Sequence, residues 1–516
     1  MQGSTGISRV LRFAGKALLI VLAAFVIYLL LGMLIPPLFR SVNGAAPASG
    51  SAVVVASAET AGWTPGAEEG DGAAGDGSGE AAGAAGDETS PGMPPSGKTA
   101  GERVLCVDDN GEALLWRLRM IEAAQHTIVL STFDLREDES GRDVFAALLD
   151  AAERGVEIRL IVDGGNSVLH LSDSACLAAL LACPTVQARQ YNAVNLLAPW
   201  TGNYRLHDKY LIVDDFAYLL GGRNTFDLFL GSTSARSNID RDVLVVCETP
   251  GSDTSLAALA CYFTEVWDAE HNKPLAPSVD ADAVMLATQE LHGRFAELSG
   301  RIPELDRPFS WLDATMPAAS VTLLANATVP NNKQPVLWEA LCSYLREGSD
   351  IAIQTPYLML GQRMYRDLAD LCSDGRSITV YTNSAVSGAN VFGCAEYLYS
   401  RRDLLGTGIL VSEYAGERSL HTKTLLIDEN LCIVGSFNFD MRSAYLDTEL
   451  MLAIDCPELN AELRGKLADT AEQSRLVSAE GVLEEGERFG EVQLSFGKRC
   501  LYLVVGLLTR PIRYLL

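Results

Sequence analysis

Two segments of the chain carry the same reactive residue types at the same spacing. Each reads His-x-Lys, four residues, Asp, and then a second apolar run that ends in Gly and Asn. The two copies contain, in order, His207, Lys209, Asp214 and Asn224, and His421, Lys423, Asp428 and Asn438. Residues two apart in a strand share one face, so the histidine and lysine of each copy can contact one ligand. These residue types predict nucleophilic and acid–base chemistry on an anionic group that the lysines would neutralise.

Each motif taken alone has an ordinary structural explanation. A single His-x-Lys pair is commonly the face of a surface strand, and an Asp between two strands commonly stabilises a turn. Here the chain has only six histidines, and two of them recur in complete copies of one pattern. The duplication therefore favours one functional site over two unrelated strand faces.

Further carboxylates lie in and after the two motifs. As members of the two motifs, Asp214 and Asp428 are placed among the catalytic residues. Their segments, VDDF and IDEN, are typical of hairpin turns, so we expect these acids to orient the lysines or stabilise the turns rather than contact substrate. Asp242 in RDVL and Glu449 in DTEL are predicted to accept a hydrogen bond from a histidine Nδ1 and thereby fix its tautomer. Asp240 is the alternative to Asp242.

The paired motifs resemble those of the phospholipase D superfamily, in which two His-x-Lys motifs from two similar domains meet in one site. The resemblance extends from about Val104 to Arg475. The GGRN after the first motif, the segment GSFNFDMRSAYLDTEL after the second and the C-terminal LLTRPIRYLL are similar to bacterial cardiolipin synthases. Two features depart from that pattern: TPYLML lacks a later proline, and Asp447 stands where asparagine is common.

The resemblance implies phosphodiester transfer without a metal or other cofactor. It assigns His207 to the attack on phosphorus, which forms a phosphohistidine, and His421 to protonation of the departing alcohol and deprotonation of the acceptor. The lysines and asparagines of both motifs would hold the phosphoryl oxygens. The symmetry of the motifs alone does not decide which histidine is the nucleophile.

The same resemblance implies membrane phospholipids as substrates, namely phosphatidylglycerol and, as another donor, phosphatidylethanolamine. The formal net charge of −26 argues against nucleic acid, because nucleic-acid binding depends on Lys and Arg that neutralise phosphates. Two alternatives stay open: a hydrolase of the same fold, either a phospholipase D or a nuclease, and an inactive phosphate-binding scaffold. The sequence does not indicate an oligomeric state.

Alternating helix and strand patterns after residue 101 predict an α/β fold. The first half contains, in order, ALLWRLRMIEAAQ, HTIVLSTFDL, RDVFAALLDAAERG and VEIRLIVDGG. The second half repeats this order with VLWEALCSYLREG, DIAIQTPYLML, RMYRDLADLCSDG and SITVYTNS. We therefore expect two similar domains with mixed sheets flanked by helices, at residues 102–268 and 334–475, packed around one shared active site. Residues 269–333 should connect them through at least one helix, and residues 476–516 should lie in the membrane interface or close the fold.

The first hundred residues have a different composition. The uncharged run from Ala17 to Ile35 is long enough to span a bilayer, so residues 17–39 are predicted to be a transmembrane helix, with a cleaved signal peptide as the alternative. The basic residues before it place residues 1–16 in the cytoplasm and the catalytic part outside it, at the cell membrane. Residues 40–101 are predicted to be a disordered linker. The eleven cysteines lack zinc-ligand spacing and leave disulfide pairing open.

Overall fold

The computed structural model describes residues 101–195, 197–231, 237–328, 333–490 and 494–515. The predicted segments 1–16 and 17–39, and all of 40–101 except Gly101, lie outside the described residues. None of the described helices is long and apolar enough to cross a membrane.

The strands form two large sheets and one small one. Their bounds in chain order are β1 Glu102–Val107, β2 Thr127–Thr132, β3 Glu157–Asp163, β4 Val186–Tyr191, β5 Tyr210–Val213, β6 Ala217–Gly221, β7 Asp242–Cys247, β8 Lys273–Pro274, β9 Met316–Pro317, β10 Ser320–Ala325, β11 Asp350–Gln354, β12 Leu358–Met359, β13 Ser377–Asn383, β14 Leu410–Tyr414, β15 Thr424–Ile427, β16 Leu431–Gly435, β17 Phe439–Asp440, β18 Leu450–Asp455, β19 Ser474–Ser478 and β20 Gly481–Glu485.

The helices lie between these strands. Their bounds are α1 Asn110–Ala123, α2 Glu139–Glu153, α3 Gly164–His170, α4 Ala175–Leu181, α5 Asp227–Leu230, α6 Ser255–Trp267, α7 Ala281–Ala296, α8 Leu298–Arg301, α9 Trp311–Ala314, α10 Val336–Glu347, α11 Gln362–Ser373, α12 Val391–Leu405, α13 Met441–Tyr445, α14 Pro457–Ala471 and α15 Phe496–Thr509. Short 3-10 helices cover Pro199–Asn203 and Arg510–Leu515.

The two large sheets have the same topology. The first has the order β8-β4-β3-β2-β5-β6-β7-β1-β9, and the second has the order β10-β18-β16-β15-β11-β13-β14-β19-β20. In each sheet three neighbouring strands are parallel, β2–β3–β4 or β11–β13–β14, and the others pair antiparallel. The run β4-β3-β2-β5-β6-β7-β1 therefore matches β14-β13-β11-β15-β16-β18-β10. The predicted pair of similar α/β domains with mixed sheets is confirmed.

A shared hydrophobic core holds the two domains together. One cluster of buried side chains contains Ile212 and Tyr218 from the first sheet and Leu426 and Leu452 from the second, with residues of α6 and α14. Two further clusters each contain residues of a single domain. Leu211 lies in the first-domain cluster although its neighbour Ile212 lies in the shared one, as the alternation of a strand requires. One face of each sheet thus packs toward the other domain and fixes the motif-bearing strands relative to each other.

The domain boundaries differ from those predicted. Residues 269–333 supply strands to both domains, because β8 and β9 pair with β4 and β1 of the first sheet and β10 pairs with β18 of the second. The helices α7 to α9 of the same stretch pack against the first domain. Strands β19 and β20 extend the same sheet beyond residue 475. The second domain therefore begins before residue 334 and continues past residue 475. Sequence periodicity missed β10 because the strand is short and lies far from the other strands of its sheet along the chain.

Candidate active site

The two His-x-Lys segments lie in extended backbone immediately before β5 and β15. The backbone N–H of His207 donates to Oγ1 of Thr448 (3.0 Å), and the N–H of Thr448 donates to the carbonyl of Arg205 (2.9 Å). At the equivalent place in the other domain, the N–H of His421 donates to the carbonyl of Ile239 (2.7 Å). Each histidine is therefore fixed by the backbone or side chain of a residue from the opposite domain.

A carboxylate from the opposite domain also orients each histidine ring. Nδ1 of His207 lies 2.9 Å from Oε1 of Glu449, and Nδ1 of His421 lies 2.6 Å from Oδ2 of Asp240. A carboxylate that accepts from Nδ1–H leaves the lone pair of the ring on Nε2. Glu449 thus makes the contact predicted from the sequence, and both rings can present Nε2 to a substrate.

Asp242 does not contact a histidine, and the prediction for this residue is wrong. Its carboxylate lies 2.9 Å from Arg117 and 3.6 Å from Arg223, inside the first domain. The alternative, Asp240, is the residue that meets His421. Residues 240 and 242 share one side of an extended chain, so alternation could not separate them. Asp240 precedes β7 and lies beside the other domain, whereas Asp242 is the first residue within the strand.

The two orienting carboxylates are held differently. Glu449 is fully buried and accepts hydrogen bonds from the hydroxyls of Ser436 and Ser443, each at 2.5 Å. Asp240 accepts from the backbone N–H of Arg241 (2.8 Å) and lies against Gly222, where a Cβ would come within 2.3 Å of Oδ1. Gly222 in GGRN and Ser436 in GSFN occupy equivalent positions. Asp240 leaves no room for a side chain at the first position, whereas at the second the serine side chain donates to Glu449.

Each motif lysine contacts the histidine of its own motif. Nζ of Lys209 donates to the carbonyl of His207, and Nζ of Lys423 donates to the carbonyl of His421 and lies 2.7 Å from that residue's Nδ1. Both side chains are buried. Burial lowers the pKa of each lysine to about 8, so both carry a proton at neutral pH but lose it readily. The pair places two cations next to the two imidazoles.

One cleft of about 280 Å³ opens onto both histidines and both motif asparagines. Oδ1 of Asn224 and Oδ1 of Asn438 are buried and have no hydrogen-bond partner within the described parts of the chain. Nδ2 of Asn438 donates to the hydroxyl of Tyr357 (3.1 Å). Each amide therefore keeps an acceptor oxygen that is free to bind a ligand. The cleft volume suits a headgroup rather than whole acyl chains.

Asp214 and Asp428 lie outside this cleft, so their placement among the catalytic residues is wrong. Both occupy left-handed turn positions, with φ of 48°, in the β5–β6 and β15–β16 hairpins. The carboxylate of Asp214 accepts from the backbone N–H groups of Gln125, His126 and Thr127 at 2.7–2.8 Å. The Asp428 carboxylate accepts from the N–H groups of 349 and 350 at 2.9 Å. The acids tie each hairpin to the start of β2 or β11, which is the turn-stabilising role that the sequence also predicted.

The electrostatics of the two histidine–carboxylate pairs differ. Burial lowers the pKa of His421 to about 4 and lowers the pKa of His207 well below its usual value, and the neighbouring lysines add to both shifts. Burial would raise the pKa of Asp240, but the charges of Lys423 and His421 outweigh it and lower that pKa to about 2. For Glu449 burial prevails and raises the pKa to about 8. The carboxylate beside His421 is therefore the more firmly ionised of the two.

Two residues that support the motifs were not singled out from the sequence. Asp163, at the end of β3, accepts from the backbone N–H of Leu206 (3.2 Å). Asn383, at the end of the equivalent β13, accepts from the N–H of Leu420 (2.9 Å). Both contacts hold the residue just before a motif histidine. The sequence did contain a pattern that could have identified them, because each is a polar residue at the end of a strand and the two strands match between the halves of the chain.

Further charged side chains surround the cleft. Arg205 pairs with Asp163, and Arg442 pairs with Asp447 (2.8 Å), the acid that stands where the family resemblance predicts asparagine. Arg205, Arg442 and Asp447 all line the cleft. Asp440 also lines it, and burial raises the pKa of Asp440 to about 7. Among the described residues, no group of three or more His, Cys, Asp or Glu side chains is placed to hold a metal ion.

Comparisons with known proteins agree with this architecture. The family model described as "Cardiolipin synthase, PLD-like domain" matches residues 118–267 and 341–470, more than half of the chain. Cardiolipin synthase C of Escherichia coli (strain K12) is 28% identical over 394 residues, which cover 67% of this chain and 80% of the relative. Cardiolipin synthase A of Erwinia tasmaniensis is 24% identical and covers 73% of this chain and 71% of the relative. The crystal structure of phosphatidylserine synthase from Haemophilus influenzae covers 81% of this chain and 98% of its own, with 15% identity and a TM-score of 0.58, and shares the fold.

Proposed function

Because the chain belongs to the cardiolipin synthase family with phospholipase D-like domains, we propose that it is a phosphatidyltransferase that makes cardiolipin. The proposed reaction moves the phosphatidyl group of one phosphatidylglycerol, or of another phospholipid such as phosphatidylethanolamine, to a glycerol hydroxyl of a second phosphatidylglycerol. The relatives named cardiolipin synthase C and cardiolipin synthase A support this substrate class. The observation that carries the proposal is the crossed pairing of each histidine with a carboxylate of the other domain in one cleft.

The first chemical step uses His207 as the nucleophile. Nε2 attacks phosphorus, the bond between phosphorus and the headgroup oxygen breaks, and a phosphohistidine forms. His421, protonated at Nε2, gives its proton to the departing alcohol, which leaves as glycerol when the donor is phosphatidylglycerol. The cations of Lys209 and Lys423 and the amides of both asparagines oppose the charge that builds on the phosphoryl oxygens.

The second step reverses these roles. His421, now neutral, removes the proton from a hydroxyl of the acceptor lipid, and the resulting oxygen attacks the phosphohistidine. The bond between phosphorus and His207 breaks, and His207 is restored. Burial and the lysines lower the pKa of His421 to about 4, and the ionised Asp240 acts against that shift. The anionic phosphate of a bound lipid acts in the same direction, and together the two anions favour a proton on His421, which supports this division. Glu449, whose pKa is raised, gives His207 less support as a cation, and His207 is thus the better neutral nucleophile.

We further propose that residues 17–39 anchor the chain in the cell membrane and that residues 40–101 tether the catalytic domains to it, outside the cytoplasm. An anchored enzyme meets its lipid substrate at a high local concentration. The composition of residues 1–101 and the positive charge before the apolar run support this arrangement.

The test uses the purified full chain and vesicles that contain phosphatidylglycerol, with lipid products identified by mass spectrometry. We expect cardiolipin and glycerol from the wild type, and neither from His207→Asn. With a phosphodiester that carries an activated leaving group, His421→Asn should accumulate a phosphoprotein labelled at His207. The matched control is His292→Asn, because His292 is half exposed and pairs only with the surface residue Glu153.

Each alternative function has its own outcome in this experiment. Phosphatidic acid without cardiolipin would identify a hydrolase, and cleavage of added DNA would identify a nuclease. Lipid binding without turnover by the wild type would identify a scaffold. Unchanged activity in both histidine variants would contradict the mechanism.

A further inference from the structure

The C-terminal helix α15 turns most of its apolar side chains away from the protein. Leu503 and Leu507 are both 73% exposed, Leu508 is 70% exposed, and Phe496 is 82% exposed. The helix contacts the second domain through Tyr502, Gly506 and Thr509, which are its buried residues. A soluble helix normally buries such an apolar face, so this face requires a partner.

Helix α12 extends the same apolar surface. Tyr502 packs with Ala395 of α12 in a small core cluster, and its hydroxyl donates to the carbonyl of Ala385 (3.2 Å). At the far end of α15, the guanidinium of Arg510 lies 4.2 Å from the ring centroid of Tyr399. The exposed large apolar side chains of α12 are Val391, Phe392, Leu398 and Tyr399. The outward residues of α12 and α15 together are called the two-helix surface below.

The charges on α15 and in the residues beside it have one sign, whereas α12 carries one exposed acid, Asp403. Residues 492–516 contain four basic residues, Lys498, Arg499, Arg510 and Arg513, and no acidic residue, in a chain whose net charge is −26. Lys498 and Arg499 are exposed at the start of α15. Apolar side chains bordered by cations complement a bilayer that contains anionic lipid. The same cations would repel the matching surface of a second copy.

The two-helix surface adjoins the cleft. Gly393, Cys394 and Tyr397 of α12, and its N-cap Asn390, line the cleft that holds both histidines. Their neighbours Val391 and Phe392 are exposed. A lipid whose acyl chains stay in a bilayer beneath α12 and α15 could therefore place its headgroup in the cleft.

We infer that α12 and α15 form a docking surface for an anionic phospholipid bilayer, which sets the cleft opening against the lipid headgroups. The inference rests on the proposed function for its purpose, because a bilayer-resident substrate must reach the cleft while its acyl chains remain in lipid. The docking itself is a separate property that can be measured without turnover.

The first experiment places a polarity-sensitive fluorophore on Cys500, the only exposed cysteine in the described part of the chain. The labelled full chain is reconstituted into phosphatidylglycerol and phosphatidylethanolamine vesicles, with and without lipids that carry a collisional quencher. We expect a blue shift and strong quenching by the lipid-borne groups, and loss of both in the variant Leu503→Glu with Leu507→Glu. A water-like spectrum in wild type would overturn the inference. A blue shift without lipid quenching would also overturn it, because a second copy or the 17–35 segment would then cover the surface.

The second experiment compares two substrates in the same proteins. We expect the Leu503→Glu, Leu507→Glu variant to lose about tenfold or more of its transfer activity on vesicles. It should keep its activity on a short-chain phosphatidylglycerol that is dissolved below its critical micelle concentration. The control variant, Met285→Glu with Leu286→Glu, changes exposed residues of α7 in the first domain and should keep both activities.

The outcomes separate docking from catalysis. Equal activity of the variant and wild type on vesicles, or equal losses on vesicles and on the dissolved lipid, would overturn the docking inference. Absence of transfer by wild type on either substrate would overturn the proposed function, and the Cys500 measurement would still decide whether the surface binds lipid.

Discussion

Oε1 of Glu449 lies 2.9 Å from Nδ1 of His207, although 242 positions separate the two residues. The equivalent contact, between Asp240 and His421, runs in the opposite direction across the same interface. Neither domain therefore contains a complete histidine–carboxylate pair. The two copies of the motif form one site because each domain supplies the carboxylate for the histidine of the other. The shared hydrophobic core fixes the positions of the two domains relative to each other.

Replacement of Glu449 tests the role of this contact. Glu449→Gln removes the negative charge and lets the amide present its NH2 group to Nδ1 instead of an oxygen, so the tautomer of His207 is no longer fixed, and we expect kcat to fall about 100-fold or more. KM should change little, because Glu449 is buried behind the ring. Ser436→Ala is the graded control, since it removes one of the two hydroxyl donors to Glu449 and should lower kcat by only about tenfold. A full rate in Glu449→Gln would exclude the orienting role.

The contacts of Asp240 and Asp242 predict that their replacement affects different properties, kcat for Asp240 and stability for Asp242. Asp240→Asn should lower kcat about as much as Glu449→Gln, with little change in thermal stability. Asp242→Asn leaves Arg117 and Arg223 without their buried anion, so we expect about 3 kcal/mol lower stability and nearly normal kcat in the folded protein. Thermal denaturation and steady-state kinetics on the same samples make the comparison, and the reverse pattern would restore Asp242 as the partner of His421.

The sequence predicted the motifs, the duplication and the α/β class because each rests on local spacing or on a repeated pattern. It identified Glu449 and left Asp240 as the alternative to Asp242, but it could not decide between two acids on the same side of one extended segment. It also could not show that Glu449 serves the histidine of the other domain, since that depends on the packing of two sheets. Strand β10 was missed for the same reason, because its partner β18 lies more than one hundred residues away.

Gly222 is the position where the first motif has no room for a side chain. In Gly222→Ala the new Cβ would meet Oδ1 of Asp240 at 2.3 Å, so the carboxylate must move away from His421. We expect kcat to fall about tenfold or more, because an orienting carboxylate tolerates little displacement. The matched control is Gly293→Ala in α7, which has open space around it and should retain activity. Normal activity in Gly222→Ala would show that the approach of Asp240 to His421 is not required.

The lowered pKa values of the two motif lysines predict that activity falls at alkaline pH. Lys209 and Lys423 are positively charged below their pKa of about 8, and each loses its charge as the pH rises through that value. We therefore expect kcat/KM to fall above about pH 8, and the fall to be less steep in Lys423→Arg, because the guanidinium keeps its proton while Lys209 still loses one. The measurement is a pH profile of kcat/KM with the dissolved short-chain lipid. Activity that instead rises through pH 9 would contradict this role of the lysines and would point to ionisation of Glu449, whose pKa is also about 8.

The motif aspartates should act on stability rather than on the reaction. Asp214 accepts three backbone hydrogen bonds at the start of β2 and occupies a left-handed conformation that alanine disfavours. We expect Asp214→Ala to lower the free energy of unfolding by about 1–3 kcal/mol and to leave kcat within about threefold of wild type. Asp214→Asn should lose less, because asparagine tolerates the same conformation and keeps one acceptor oxygen. Asp215→Ala, in the same turn, serves as the control for a general effect of substitution there. Urea denaturation with parallel kinetics makes the measurement, and a large loss of kcat at unchanged stability would return Asp214 to the catalytic residues.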